Sequence, residues 1–138
     1  MAVTVSEIMA DTPITARPTT SIAEVARIMR DEDVGVVLIG EGTDLIGLVT
    51  DRDLVVRSLA GGLGPDTPVR QACSDQLWSV APETEVVRAA ELMRKAAVRR
   101  LPVVEDGKAV GVVSLGDIAV LGAPDSVLGA ISVALPNT

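Results

Sequence analysis

Apolar residues at Ile22, Val25, Ala26 and Met29 recur at three- and four-residue spacings, which puts them on one face of a helix. The same spacing returns sixty-four positions later at Val86, Ala89, Ala90 and Met93. After each helix the period changes. Short apolar runs rich in β-branched residues occupy 36–39 and 46–49, and again 101–104 and 110–113, and they predict strands. The polar stretches 40–44 and 105–108 between them predict two hairpins. A short extended piece precedes each helix, at 13–16 and at 77–80, close to a proline that keeps its predecessor extended. Second helices start at Thr50 and Ser114, hydroxyl residues suited to the N-cap. Thr4-Val5-Ser6-Glu7 and Thr67-Pro68-Val69 each predict a short leading helix, and 125–135 predicts a terminal one.

Laying residue n on residue n+64 keeps register without a gap from Val5 to Asp53. Identities include Val5/Val69, Pro18/Pro82, Met29/Met93, Arg30/Arg94, Gly47/Gly111 and Asp53/Asp117. The chain is therefore an internal duplication. Residues 1–64 form the first repeat, with a leading helix and a glycine-rich linker at 61–66; residues 65–138 form the second, with the terminal helix. The expected class is α/β (α+β): two tandem β-α-β-β-α repeats with pseudo-twofold symmetry, their small mixed sheets packed against helices.

One stretch is said twice with particular clarity. Gly47-Leu48-Val49-Thr50-Asp51-Arg52-Asp53 is matched by Gly111-Val112-Val113-Ser114-Leu115-Gly116-Asp117. A buried strand runs straight into a helix whose cap is Thr50 or Ser114 and whose third residue is Asp53 or Asp117. Such a box usually does nothing but start a helix. A strand-to-helix corner also presents backbone N–H groups and the positive end of a helix dipole, which suits an anionic or polyhydroxyl ligand.

Composition narrows the chemistry. Apolar residues make up 48% of the chain but aromatics only 1%, so the core must be aliphatic. A formal charge of −7 opposes binding to nucleic acid or to an anionic membrane. The chain has no histidine and one cysteine, Cys73, which removes the usual general base and any thiolate zinc site. Asp51 and Asp53, two apart at a helix start, diverge and do not form a metal pair. The lone cysteine, with neither a signal segment nor a spanning run, predicts a cytoplasmic protein. No nucleophile–base pair or phosphate loop is visible, so no enzyme is expected.

The repeat, the G-h-h-[Thr/Ser]-x-x-Asp corner in both copies, and Val98-Arg99-Arg100-Leu101-Pro102-Val103-Val104 together resemble a tandem cystathionine-β-synthase (CBS) domain pair, or Bateman module. The likeness runs from about Val5 to Leu121 and extends to the small stand-alone two-CBS proteins. It implies a regulatory module that binds an adenosine-containing ligand in clefts between the repeats. AMP, ADP, ATP, NAD and S-adenosylmethionine are candidates, none of them a required cofactor. It also implies roles. Asp53 would take the ribose hydroxyls, supported by Thr50. Backbone near Thr15 and Ala16 would read the base, and Arg99 and Arg100 of the second repeat would meet phosphates. The second site would use Asp117, Ser114, Ser79 and Val80. Its crossing positions are Gly35 and Val36, so no basic residue serves it, and it should be weak, empty or suited to an uncharged nucleoside.

The resemblance further implies a homodimer and an unidentified protein partner. The apolar pattern agrees, because Leu54, Val55, Val56 and Leu59 spread around one second helix, and 118–121 go around the other. A helix apolar on several sides calls for cover on several sides. A homodimeric interaction protein of the same fold that binds no nucleotide is the alternative from a different class.

Overall fold

A computed structural model describes residues 3–42, 44–74 and 77–122; the terminal helix expected at 125–135 lies outside the described residues. The described chain forms two compact units. Ile14–Leu77 is one. The other joins the segment up to Pro13 to the chain from Trp78 onward.

In the Ile14–Leu77 unit, β1 (Thr15–Ala16), β2 (Val36–Glu41) and β3 (Asp44–Thr50) form a mixed sheet in the order β1-β2-β3. β1 runs parallel to β2, and β2 and β3 form the expected hairpin, with Val36 opposite Thr50 and Glu41 opposite Asp44. Helix α1 (Ile22–Glu32) is capped by Ser21, whose hydroxyl accepts from the Glu24 N–H at 3.2 Å. It ends with Asp33 in the left-handed region at φ 55° and with the Val34 N–H reaching back to the Met29 carbonyl, the six-to-one closure of a Schellman motif. Val25 and Met29 of α1, Val37 and Ile39 of β2, Val49 of β3 and Val69 form the core. After β3 the chain makes a single α-turn, α2 (Asp51–Asp53), and then continues over Leu54–Leu59 as a π-helix.

The other unit repeats the plan with α3 (Val86–Ala96), β4 (Arg100–Glu105), β5 (Lys108–Ser114) and α4 (Leu115–Gly122). Its core is Val5, Val80, Ala89, Met93, Leu101, Val103 and Val113. The register shift in the β4–β5 hairpin falls between Val103 and Val104, as the shift in the first hairpin falls between Ile39 and Gly40. Two details differ. The extended piece expected at 77–80 shrinks to one parallel bridge, Val80 to Val103. In the first unit the Leu38 N–H donates to the Ile14 carbonyl at 2.8 Å. The matching residue here is Pro102, which has no N–H to give. The second difference is that α4 is a regular α-helix where its counterpart is π-helical.

The compact units are offset from the sequence repeats 1–64 and 65–138 by their leading turns. The 3-10 turn Val5–Glu7 is bonded to residues of the second repeat, the Val5 N–H to the Thr84 carbonyl (2.8 Å) and the Ser6 N–H to the Pro82 carbonyl (3.0 Å). The 3-10 turn Val69–Gln71 is bonded to residues of the first, the Val69 N–H to Thr20 (2.7 Å) and the Arg70 N–H to Pro18 (3.2 Å). Val5 and Val69 are both fully buried, so each leading turn plugs the core of a unit built by the other repeat. Apolar burial of a whole valine side chain, about 1.5–3 kcal/mol, fixes this exchange.

Candidate functional site

Both strand-to-helix corners are reciprocal capping boxes. At the end of β3 the Thr50 hydroxyl accepts from the Asp53 N–H at 3.1 Å, and Asp53 Oδ2 accepts from the Thr50 N–H at 2.9 Å. At the end of β5 the Asp117 N–H donates to the Ser114 hydroxyl at 3.1 Å and the Ser114 N–H to Asp117 Oδ2 at 2.8 Å. One oxygen of each carboxylate is therefore committed to the backbone. This fixes the carboxylate's orientation and leaves the other oxygen, Oδ1, for a second partner.

The first glycine of each motif serves packing rather than a ligand. A Cβ on Gly47 would lie 2.8 Å from the Ser74 carbonyl oxygen, and one on Gly111 would lie 2.6 Å from that of Ala10. In each unit a single antiparallel bridge ties the backbone just after its leading turn to the motif strand. The Ser74 N–H donates to Leu48 in one, and Ala10 and Val112 exchange two backbone bonds in the other.

The two corners differ in their neighbours. Asp53 Oδ1 faces Arg57 Nε at 3.7 Å, and Arg57 also donates to the Cys73 carbonyl at 3.4 Å. The Asp53 side chain is 19% exposed, so this carboxylate is open at one edge and braced at the other. The sequence reading missed Arg57, although the four-residue spacing from Asp53 on a helix is the signal that finds it. The position matching Arg57 in the second repeat is Leu121.

The remaining site residues fall as follows. Thr15 and Ala16 lie on β1, opposite Leu38 and Ile39 and so two strands away from Thr50. Thr15 is exposed and Ala16 half-buried. Ser79 is exposed, while Val80 is buried with its N–H donating to Pro102 and its carbonyl accepting from Val104. The backbone of Val80 thus belongs to the sheet. Arg100 opens β4 as the cross-strand partner of Ser114, so their side chains share a face. Arg99 is exposed, and its carbonyl accepts from the Leu115 N–H at 2.8 Å. Among the described residues no group of three or more His, Cys, Asp or Glu side chains is placed to hold a metal ion.

Comparison with known families matches the CBS domain model twice, over residues 5–59 and 69–122, and each match takes in one of the two corners. The chain belongs to the CBS domain family. CBS domains are non-catalytic regulatory modules. The CBS domain-containing protein YhcV of Bacillus subtilis is 37% identical over 116 residues, covering 84% of this chain and 83% of the relative. Hypoxic response protein 1 of Mycobacterium tuberculosis is 34% identical over 101 residues, 72% of this chain and 71% of that one. A solved structure of hypoxic response protein I holds two coordinated zinc ions and aligns with TM-score 0.77 at 29% identity, over 85% of this chain and 97% of that one. The CBS domain pair of protein MJ0100, solved with 5′-methylthioadenosine and S-adenosyl-L-methionine, aligns with TM-score 0.83 at 25% identity, over 91% of this chain and all (100%) of that one. No helix among the described residues is long and apolar enough to cross a membrane.

Proposed function

We propose that this CBS pair is a regulatory module that binds an adenosine-containing ligand, AMP, ADP, ATP or S-adenosylmethionine, at the Asp53 corner. The observation that carries the reading is the Asp53 carboxylate, held by the Thr50 N–H through Oδ2, braced by Arg57 and open at one edge. An oriented, ionised carboxylate can accept from two vicinal ribose hydroxyls in charge-assisted bonds. Thr15 and Ala16 supply backbone for the base, and Arg99 and Arg100 supply guanidinia for phosphates, whose geometry suits bidentate donation. The Asp117 corner, with Ser114, Ser79 and Val80, is the weaker site, because the first-repeat positions matching Arg99 and Arg100 are Gly35 and Val36, which offer no cation for a phosphate. The adenosine compounds bound to MJ0100 support the ligand class. Calorimetry with AMP, ADP, ATP and S-adenosylmethionine is expected to show at least one binding. Silence from all four at millimolar concentration would leave the interaction protein that binds no nucleotide, which the self-satisfied capping boxes would equally suit.

The module works, in this proposal, as a homodimer. Val55, Val56 and Leu59 on the π-helix are 58%, 49% and 76% exposed. Leu54 instead packs against its own core, as do Ile28 of α1 and Leu92 of α3, so the dimer surface is narrower than the apolar pattern alone suggests. A second copy covers this patch and relays ligand binding to a protein partner. Sedimentation at micromolar concentration should give twice the 14.3 kDa chain mass. Leu59→Glu should give the monomer, and an unchanged dimer in that variant would rule this surface out.

A further inference from the structure

The Ile14–Leu77 unit holds a cavity of about 450 Å³ lined by Arg17, Pro18, Thr19, Glu41, Gly42 and Arg70. It lies at the far end of the sheet from Asp53. Thr50 pairs with Val36 at the start of β2, whereas Glu41 ends that strand, five residues or about 17 Å away. β1 runs parallel to β2 and stops at Ala16 beside Ile39, so Arg17 emerges at the Glu41 end.

Two arginines are brought together here by the fold. Arg17 precedes Pro18, and Arg70 is tied to the same residue by its N–H on the Pro18 carbonyl at 3.2 Å, with the neighbouring Val69 buried beneath. Neither guanidinium has a hydrogen-bond or ion-pair partner among the described residues, in a chain of net charge −7. The other unit shows that the fold does not require them. There the Ser6 N–H meets the Pro82 carbonyl in the same way, at 3.0 Å. The positions of Arg17, Thr19, Gly42 and Arg70 are taken in that unit by Ala81, Glu83, Asp106 and Ser6, while Glu41 is matched by Glu105. One frame carries two unpaired cations, and its copy carries none and adds acids.

We propose that this cavity is a ligand site separate from both corners, for a small phosphate ester that also bears a hydroxyl or amino group. Arg17 and Arg70 hold the phosphate oxygens, each able to donate two N–H groups in a planar fork, and the Thr19 hydroxyl donates a further bond. Glu41, in the same cavity, repels a polyanion and accepts from the hydroxyl or amino group of the correct ligand. The volume suits a small metabolite. The site is independent of the adenosine reading and stands or falls separately from it.

Titration calorimetry with inorganic phosphate and with glycerol 3-phosphate tests it. Both should bind, and glycerol 3-phosphate more tightly, because only it has hydroxyls for Glu41. Arg17→Ala and Arg70→Ala should each weaken binding by roughly tenfold or more, the loss of a charged hydrogen bond. Arg27→Ala, which removes an exposed cation paired with Glu24 on α1, should change nothing. Thermal melts of all three variants should match the parent, since these side chains are exposed. The proposal fails if neither probe binds at millimolar concentration, if the Arg17→Ala/Arg70→Ala double variant binds as the parent does, or if saturating adenosine displaces the phosphate.

Discussion

Gly111→Ala is expected to destabilise the chain by about 3 kcal/mol, the upper range for overpacking a filled site, and to lower Tm by roughly 10 °C. The added Cβ would sit 2.6 Å from the Ala10 carbonyl oxygen and 2.6 Å from the Met9 sulfur. The sulfur can swing away, but the oxygen is backbone. Moving it strains the paired bonds between Ala10 and Val112, at 2.9 and 3.0 Å. It also levers on the turn Val5–Glu7, whose Val5 fills the core of that unit. Gly47→Ala should act in the same direction with a smaller effect, because its Cβ meets the Ser74 oxygen at 2.8 Å. Gly64→Ala is the control: its nearest contact is the Thr67 hydroxyl at 4.0 Å, and its Tm should stay near that of the parent. Differential scanning calorimetry of the three variants decides the matter, and a Gly111→Ala protein that melts with the Gly64→Ala control would refute it.

That glycine also marks where the sequence stops being readable. The period of sixty-four residues, the two hairpins and both capping boxes are local patterns, so spacing and residue type were enough to place them. Gly47 and Gly111 were visible as the first letters of a motif, but their reason is a stretch of backbone that arrives from elsewhere in the chain. The exchange of Val5 and Val69 between units is non-local in the same way, since either turn caps and buries identically in a sequence reading. Pro102 is a middle case. The residue was in plain view, yet its effect on 77–80 depends on knowing which backbone group would have paired with it. The π-helix at Leu54–Leu59 has no counterpart in the pattern of its residues, which are as apolar as those of α4. At the candidate site, Thr50 with Asp53 and Ser114 with Asp117 could be paired from spacing alone. The cluster of Arg17 and Arg70 could not, because fifty-three positions separate two residues that meet only through Pro18.

Asp53→Asn should separate the ligand role of the carboxylate from its structural one. The asparagine carbonyl oxygen can still accept from the Thr50 N–H, now 2.9 Å from Oδ2, so the helix start survives. What disappears is the negative charge that strengthens bonds from ribose hydroxyls. Affinity for an adenosine ligand should fall by about 10- to 100-fold, the loss of a charge-assisted hydrogen bond, with Tm close to that of the parent. Asp53→Ala removes the cap acceptor as well and should add a stability loss of about 1 kcal/mol. Asp117→Asn should scarcely alter the tighter binding event, because the proposal assigns that event to the Asp53 corner. Arg100→Ala adds a second axis. It should weaken AMP by about 10-fold or more and leave adenosine nearly unchanged, since only the phosphate loses a partner. Equal losses at Asp53 and Asp117 would make the two corners equivalent and remove the asymmetry. Equal losses for adenosine and AMP in Arg100→Ala would return that arginine to its place beside Ser114 as a structural residue. Full binding by Asp53→Asn would move the adenosine site away from this corner altogether.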